Sequence, residues 1–408
     1  GAADTAYLVQ MVLLFSGIAT LVQTYGAGPV GAKLPIVMGT SFTFVGAATT
    51  IGSASGLPTV FGAVLVAGFL VEGLIGWQFE RIKPYFPPLV TGLVVVIIGL
   101  YLIPVGMDYA AGGVGASDYG SLGNIGLAAL VVAVAVGLNL YGEGVTRLLS
   151  TLVGIAVGYV VAIATGMVEF SAIGAAAWIA LPQPTRFGAP AFDPAAIVTF
   201  AFLFLVSAME TVGDMSGVTA AQGRNPTDEE FRGGLFTDGL LSSVGAVFGA
   251  FPITSFSQNV GIVSFTGVLS RYVVMVAGGI LVLLGFSPKV GAAVTTIPAP
   301  VFGGAVLLMA GMVAASGVRL VEQNTELNRR NMVVIGVSLG LGLGVATRPD
   351  AVAGIPGAAG TFLAQPVILT ALSALLLNAI APGKTSPLFD VPETPPTGPD
   401  PTGTVEDD

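Results

Sequence analysis

Long apolar runs separated by short polar connections make up most of this chain of 408 residues. An α-helix needs roughly 17 to 25 mostly apolar residues to cross the hydrocarbon core of a bilayer. The sequence contains thirteen such runs, several of them short or interrupted. This pattern predicts an all-α polytopic membrane protein with about 13 spans.

Two of these runs, the second and the ninth, are interrupted by a proline. Pro35 is followed by IVMGTSF and Pro252 by ITSFSQN, both rich in β-favouring and small residues. Extended backbone inside a membrane leaves N–H and C=O groups unpaired, unless two such stretches pair or line a cavity. The sequence therefore predicts two short antiparallel strands at mid-membrane, beside a site for a polar ligand. The alternative is that both prolines merely kink ordinary packed helices.

An internal repeat gives the broken runs corresponding positions. Pro88, Gly92 and Gly99 recur 212 residues later as Pro300, Gly304 and Gly311, and the two broken runs are 217 residues apart. Inverted repeats are common in secondary transporters, so the pattern predicts a 7+7 inverted-repeat transporter fold. The second copy begins near Pro194, and the counterpart of its first helix would lie about twenty residues before Gly1. We therefore expect one span, the first, to be absent from this chain.

Successive connections between the predicted spans alternate between many and few basic residues. This alternation predicts a cytoplasmic C-terminus and an outside N-terminus. Eleven basic residues lie on one side and three on the other; the three are Arg186, Lys289 and Arg348. The Pro-rich segment 385–408 carries six acids and no base, which predicts a disordered tail. The acidic composition fits either a halophilic source or an ordinary acidic tail.

The chain has no Cys and no His, which excludes disulfides, thiolate or imidazole metal sites and histidine proton switches. Proton chemistry is left to carboxylates. Glu210 lies inside the run AIVTFAFLFLVSAMETVGD, where a charge costs roughly 2.5 to 3.5 kcal/mol, so it must face an interior or an aqueous cavity. Asp214 lies one helical turn further on and shares that face. Glu72 is interpreted instead as a snorkelling side chain near a span end.

The residues from Gln258 to Gly267 resemble the signature of the nucleobase-ascorbate transporters, also called the nucleobase:cation symporter-2 or xanthine/uracil permease family. Gln258, Asn259, Gly261 and Thr266 stand at its fixed positions. METVGD around Glu210, GTSF at 39–42 and Asp238 in FTDGL also resemble family motifs. The resemblance is strongest to the xanthine and urate members. The family's first-span Gln-His pair is absent, as expected if that span is missing.

The resemblance implies a secondary transporter that imports a purine, xanthine or urate, by cation symport, with a proton favoured and Na⁺ left open. The expected substrate contacts are Glu210, Gln258, Phe42, Ser41, Asn259 and Ser257. Glu210 and Gln258 would bond the edge of the base, Phe42 would stack on its face, and backbone groups of the other three would meet the remaining edges. Glu210, Asp214 and Asp238 are the candidate coupling residues, although Asp214 is equally interpretable as a structural acceptor for the broken strands.

Two other transport functions stay open, a uracil or pyrimidine permease and an inorganic-anion exchanger of the same fold. An enzyme, with Asp214 and Asp238 as an intramembrane aspartyl protease pair, is disfavoured because Thr-Val-Gly-Asp replaces the Gly-x-Gly-Asp of that chemistry. No cofactor, metal or nucleic-acid partner is expected.

The predicted division is into a substrate-binding core and a gate that forms a homodimer in a prokaryotic plasma membrane. The core comprises residues 1–80 and 194–288, and the gate comprises residues 86–165 and 289–382.

Overall fold

The computed structural model describes residues 1–78 and 87–382, which form mainly helices and one pair of short strands. The helices of the first part are α1 (Ala2–Tyr25), α2 (Val45–Ser55), α3 (Leu57–Trp77), α4 (Pro88–Ala110), α5 (Leu122–Tyr141), α6 (Gly144–Leu148), α7 (Ser150–Ala164) and α8 (Ser171–Ala175). Those of the second part are α9 (Pro194–Ala221), α10 (Asp228–Val247), α11 (Ser257–Thr266), α12 (Arg271–Gly285), α13 (Pro288–Thr295), α14 (Ala299–Asn324), α15 (Arg329–Thr347), α16 (Ala358–Leu363) and α17 (Pro366–Ile380). The strands are β1 (Met38–Thr40) and β2 (Ile253–Ser255).

Seven of the described helices are long and apolar enough to cross a membrane, and an eighth span results if the bent pair α12 and α13 counts as one. The chain is thus an integral membrane protein. The predicted number of thirteen is not confirmed by this count. Helices α7 and α17 are apolar but shorter than 18 residues, and the strand-containing runs are not continuous helices.

The two proline-broken runs form the predicted antiparallel strand pair. Met38 pairs with Ser255, Gly39 with Thr254 and Thr40 with Ile253. Each strand then leads into a helix. A single turn of 3₁₀ helix at Phe42–Phe44 connects β1 to α2, and β2 is followed by α11. The interpretation of the prolines as simple helix kinks is therefore wrong.

The order of elements recurs along the chain. The same series occurs first from β1 to α4 and again from β2 to α14. It consists of a strand, a helix, an interrupted or bent helix, and a long helix with a proline in its first turn. Helices α4 and α14 pack side by side and antiparallel, because Gly92 lies against Gly317 whereas Gly99 lies against Ala314. Such close backbone contact at small residues is typical of helix pairs in membranes. Antiparallel packing of equivalent helices is also what an inverted repeat produces.

The helices pack in two groups. One group joins α1 to α12 and α13, and α9 to α3; the other joins α4 to α14, α5 to α7 and α15 to α17. The domain boundaries predicted from the sequence stay a prediction, and the one at residue 289 falls within the bent pair α12–α13. The predicted disordered tail at 385–408, and the basic residues Arg81, Lys83 and Lys384, lie outside the described residues.

Candidate functional site

Helix α9 places Glu210 between the two broken runs. The Thr43 hydroxyl, in the turn after β1, donates to Glu210 Oε2 at 3.2 Å. The Ser257 hydroxyl, at the start of α11, donates a longer bond of 3.5 Å to Glu210 Oε1. One carboxylate thus contacts both copies of the repeat at the point where each strand becomes a helix. The first N–H groups of a helix have no partner within it, so both helix starts also present donors here.

Backbone and amide bonds hold the two broken runs together. The Ser41 N–H donates to the Pro252 carbonyl at 3.0 Å, and the Phe256 N–H donates to Val37 at 2.9 Å. The Asn259 side chain is buried, and its Nδ2 donates to the Pro35 carbonyl at 2.7 Å. These bonds satisfy backbone groups that the two prolines leave without helical partners.

Two of the residues that the sequence assigns to the substrate already have structural partners. The Ser41 N–H is paired with Pro252, and the Asn259 N–H donates to the Phe256 carbonyl at 2.9 Å. The Ser41 hydroxyl in turn accepts from the Thr43 N–H at 3.2 Å. Ser41 and Asn259 therefore shape the site through the backbone, and a ligand would have to meet other groups of these residues.

Gln258 and Phe42 lie next to the residues that contact Glu210. Gln258 follows Ser257 in the first turn of α11 and is half-buried, and its side chain makes no hydrogen bond to any described residue. Phe42 precedes Thr43, is also half-buried, and packs against the cluster that contains Phe44. An amide and an aromatic ring are thus adjacent in the chain to the two hydroxyl groups that bond the carboxylate, one on each run.

Asp214 and Asp238 are linked to β2 through hydroxyl groups. Asp214 Oδ2 accepts from the Ser255 hydroxyl at 2.6 Å, and Asp238 Oδ2 accepts from the Thr211 hydroxyl at 2.6 Å. Thr211 also lies 3.0 Å from the Thr254 hydroxyl, so these two carboxyl groups are joined to the strand by a continuous chain of side chains. The bond from Ser255 favours the structural role for Asp214, with a hydroxyl in place of the expected backbone N–H.

A cavity of about 400 Å³ lies beside the strand pair, on the side of α2. Thr40 and Ser41 provide part of its wall, and Phe44, Leu57 and Phe251 are among its apolar lining residues. Glu210, Gln258 and Phe42 do not line it. The cavity therefore adjoins the predicted contacts through Ser41 but does not contain the carboxylate.

The interpretation of Glu72 as a snorkelling residue is wrong. Its side chain has no exposed surface and lies in a π-helical stretch of α3, Gly68–Gly73. The physical reason is close packing. Helix α10 contacts this stretch at Gly239, so the stretch faces the protein interior. The hydroxyl partners Thr43, Thr211 and Ser255 were not predicted. The pattern that could have indicated them is the series of Ser and Thr residues in otherwise apolar spans.

Comparison with known sequences places these residues in a family. The model of the permease family Xan_ur_permease matches residues 1–351. A Clostridium perfringens relative is 42% identical over 376 residues, which are 92% of this chain and 82% of that protein. The xanthine permease of Bacillus subtilis is 37% identical, covering 92% of this chain and 85% of the relative. The uric acid permease PucK of the same species is 36% identical, covering 93% and 88%.

Two solved structures with a similar fold are a bicarbonate transporter and an anion transporter. The transmembrane domain of the cyanobacterial bicarbonate transporter BicA superposes with a TM-score of 0.53 at 16% identity, over 92% of this chain and 96% of that one. The murine anion transporter Slc26a9 gives a TM-score of 0.59 at 13% identity, over 93% and 66%. At these identities the likeness extends to the fold alone.

Proposed function

Because the chain belongs to the permease family Xan_ur_permease, and is thus a transporter and not an enzyme, we propose that it imports a purine nucleobase. Xanthine and urate are the favoured substrates, and the co-substrate is a cation, with a proton favoured over Na⁺. The relatives named above as a xanthine permease and a uric acid permease support this substrate class.

The observation that carries the proposal is the position of Glu210 between the starts of the two helices, bonded to Ser257, which Gln258 follows in the chain. A xanthine or urate ring presents alternating N–H donors and carbonyl acceptors on its edge. An ionised carboxylate only accepts, and its bonds to N–H groups are charge-assisted and strong. The Gln258 amide supplies both one acceptor and two donors, so the two side chains together match an edge of mixed polarity.

Gln258 is also the group that would choose between purines and uracil. By family resemblance, members with an amide here take xanthine or urate, whereas uracil members tend to have a carboxylate. A uracil or pyrimidine permease is therefore the second candidate within the same mechanism. Phe42, half-buried on the opposite run, offers a ring face for either base.

Transport in this proposal proceeds by alternating access, with the substrate-carrying core moving against the gate. Inverted-repeat transporters expose a central site to each side of the membrane in turn through such movements of one bundle against another. Protonation and deprotonation of Glu210, Asp214 and Asp238 would couple this movement to a proton gradient, and Na⁺ binding is the alternative. A homodimer formed through the gate belongs to the same proposal.

An inorganic-anion exchanger shares this fold, as the bicarbonate transporter BicA illustrates. A site for a small anion would require positive charge, or helix starts without a carboxylate between them. Here Glu210 occupies the place between the two helix starts and already accepts two hydroxyl bonds. The anion exchanger is accordingly the less favoured function.

The test is uptake of radiolabelled xanthine by cells that lack their own purine permeases and express the full-length protein. Unlabelled urate, guanine and uracil serve as competitors and rank the substrates. We expect saturable uptake that a protonophore abolishes, that persists without Na⁺ and that Glu210→Ala eliminates. Absence of any nucleobase uptake from well-expressed protein would overturn the proposal, and labelled bicarbonate and sulfate would then be tested.

A further inference from the structure

Glu72 and Asp238 are two buried carboxyl groups whose surroundings leave three oxygens without a partner. Neither side chain has exposed surface. Both oxygens of Glu72 and the Oδ1 of Asp238 make no hydrogen bond to any described residue. An ionised carboxylate that lacks donors inside a membrane protein is strongly unfavourable. At least one of the two groups must therefore hold a proton in this conformation.

Glycines bring the backbones of these two residues together. Glu72 precedes Gly73 on α3, and Asp238 precedes Gly239 on α10. A Cβ atom built on Gly239 would lie 2.6 Å from the Gly73 nitrogen, so the two backbones touch. The same Cβ atom would lie 3.2 Å from the Glu72 carbonyl carbon, so the residue that follows Asp238 touches Glu72 itself.

The groups that face Glu72 from the neighbouring elements are mostly acids. Helix α10 contributes Asp238, and α9 contributes Glu210. Helix α10 also carries the basic residue Arg232. Its guanidinium lies 5.7 Å from the centre of the Trp77 ring, at the C-terminal end of α3. Residues Leu57–Ala67 of α3 include no titratable side chain.

The π-helical stretch around Glu72 is a second local irregularity. Single turns of π helix are rare and often lie at functional sites, because the extra residue redirects side chains. Here the stretch extends from Gly68 to Gly73 and includes Glu72. Asp238 in turn is bonded through Thr211 to Thr254 of β2. The carboxyl pair is thus connected to the strand that leads to Gln258.

From this arrangement we infer that Glu72 is a proton-holding residue of the transporter, and that it forms with Asp238 a pair that carries one proton. The pair takes up a proton from water on one side of the membrane, forming one O–H bond, and returns it to water on the other side. The inference rests on the proposed proton symport and assigns the proton to a place outside the substrate contacts. Asp238 was a candidate for coupling from the sequence, whereas Glu72 was not.

The test is accumulation of purine in liposomes that contain the full-length protein. A difference of one pH unit supports an about tenfold accumulation for each proton carried, because tenfold corresponds to about 1.4 kcal/mol. We expect the wild type to reach this ratio. Glu72→Gln has nearly the same size but cannot exchange a proton, and we expect equal concentrations inside and outside. It should still exchange labelled for unlabelled purine, which needs no net proton movement.

The matched control is Glu322→Gln, an exposed residue near the end of α14, which should accumulate purine like the wild type. Accumulation by Glu72→Gln at the wild-type ratio would overturn the inference and leave the proposed function intact. Absence of accumulation by the wild type itself would instead contradict the proposed symport.

A second variant covers the case in which Glu72→Gln does not fold or exchange. Glu72→Asp retains the carboxyl group with one methylene fewer, and we expect it to accumulate purine with a shifted pH dependence. Accumulation by Glu72→Asp with an unchanged pH dependence would count against the inference, because a residue that holds the transported proton must affect that profile.

Discussion

The two broken runs have the same backbone design but present different chemistry to the centre of the protein. Each has a proline, a three-residue strand and the start of a helix. The first run offers the Thr43 hydroxyl and the Phe42 ring, and the second offers the Ser257 hydroxyl and the Gln258 amide. The comparison teaches that the repeat supplies the scaffold twice, while recognition depends on the positions where the copies differ.

Glu210 belongs to neither run, yet it is the group that contacts both. It lies on α9, which packs against α11 and the 3₁₀ turn after β1. Because a single carboxylate bridges the two runs, a change in either one alters the position of the same acceptor. The differences between the runs can therefore be examined one side at a time.

Removal of the bridging charge should have the largest effect. Glu210→Gln replaces two charge-assisted bonds to the substrate by neutral ones that are weaker by about 1 to 1.5 kcal/mol each, which predicts a fall of about 30- to 150-fold in xanthine uptake. Asp214→Asn, one turn along the same helix, weakens the bond to Ser255 of β2 and should lower uptake less. Initial rates of labelled xanthine uptake, normalised to protein in the membrane, measure both. Equal losses would place Asp214 in the same functional role as Glu210.

A change of the amide on the second run should come next. Gln258→Glu removes two donors and adds a negative charge near Glu210, so purine uptake should fall by roughly tenfold or more, or preference should move towards uracil. Ser41→Ala, at the corresponding position of the first run, should have a smaller effect, since the hydroxyl that it removes is already occupied by the Thr43 N–H. Competition of labelled xanthine with unlabelled uracil gives the comparison. Unchanged xanthine uptake by Gln258→Glu would remove this residue from the site.

The sequence predicted the broken runs because proline followed by small and β-favouring residues disfavours a continuous helix, and the strand pair confirms it. It also identified Glu210, since a carboxylate in an apolar run must face an interior. The use of the Asn259 amide as a link to Pro35 was not predictable, because the register of two runs separated by 217 residues depends on tertiary packing. The burial of Glu72 was missed for a similar reason. Its place near a span end was informative only together with the contact between α3 and Gly239.

Loss of the link between the runs should affect stability more than recognition. Asn259→Ala removes the 2.7 Å bond to the buried Pro35 carbonyl, and an unsatisfied buried acceptor costs about 1 to 3 kcal/mol. We expect a lower melting temperature in detergent and a purine affinity close to that of the wild type. Asn139→Ala on α5, away from both runs, is the control and should melt like the wild type. A normal melting temperature with lost affinity would show that Asn259 acts on the substrate instead.

The smallest effects should come from the two hydroxyl groups that hold Glu210, and they compare the runs most directly. Thr43→Val retains the shape of the side chain and removes a 3.2 Å bond, whereas Ser257→Ala removes a 3.5 Å bond that is weaker by its length. A hydrogen bond to a charged group contributes about 1.5 to 3 kcal/mol at good geometry, so Thr43→Val should reduce xanthine affinity by roughly tenfold and Ser257→Ala by less. Thr50→Val, an exposed position on α2, controls for the loss of a hydroxyl. The reverse order, with Ser257→Ala the more harmful, would indicate that Glu210 moves towards the second run when substrate binds.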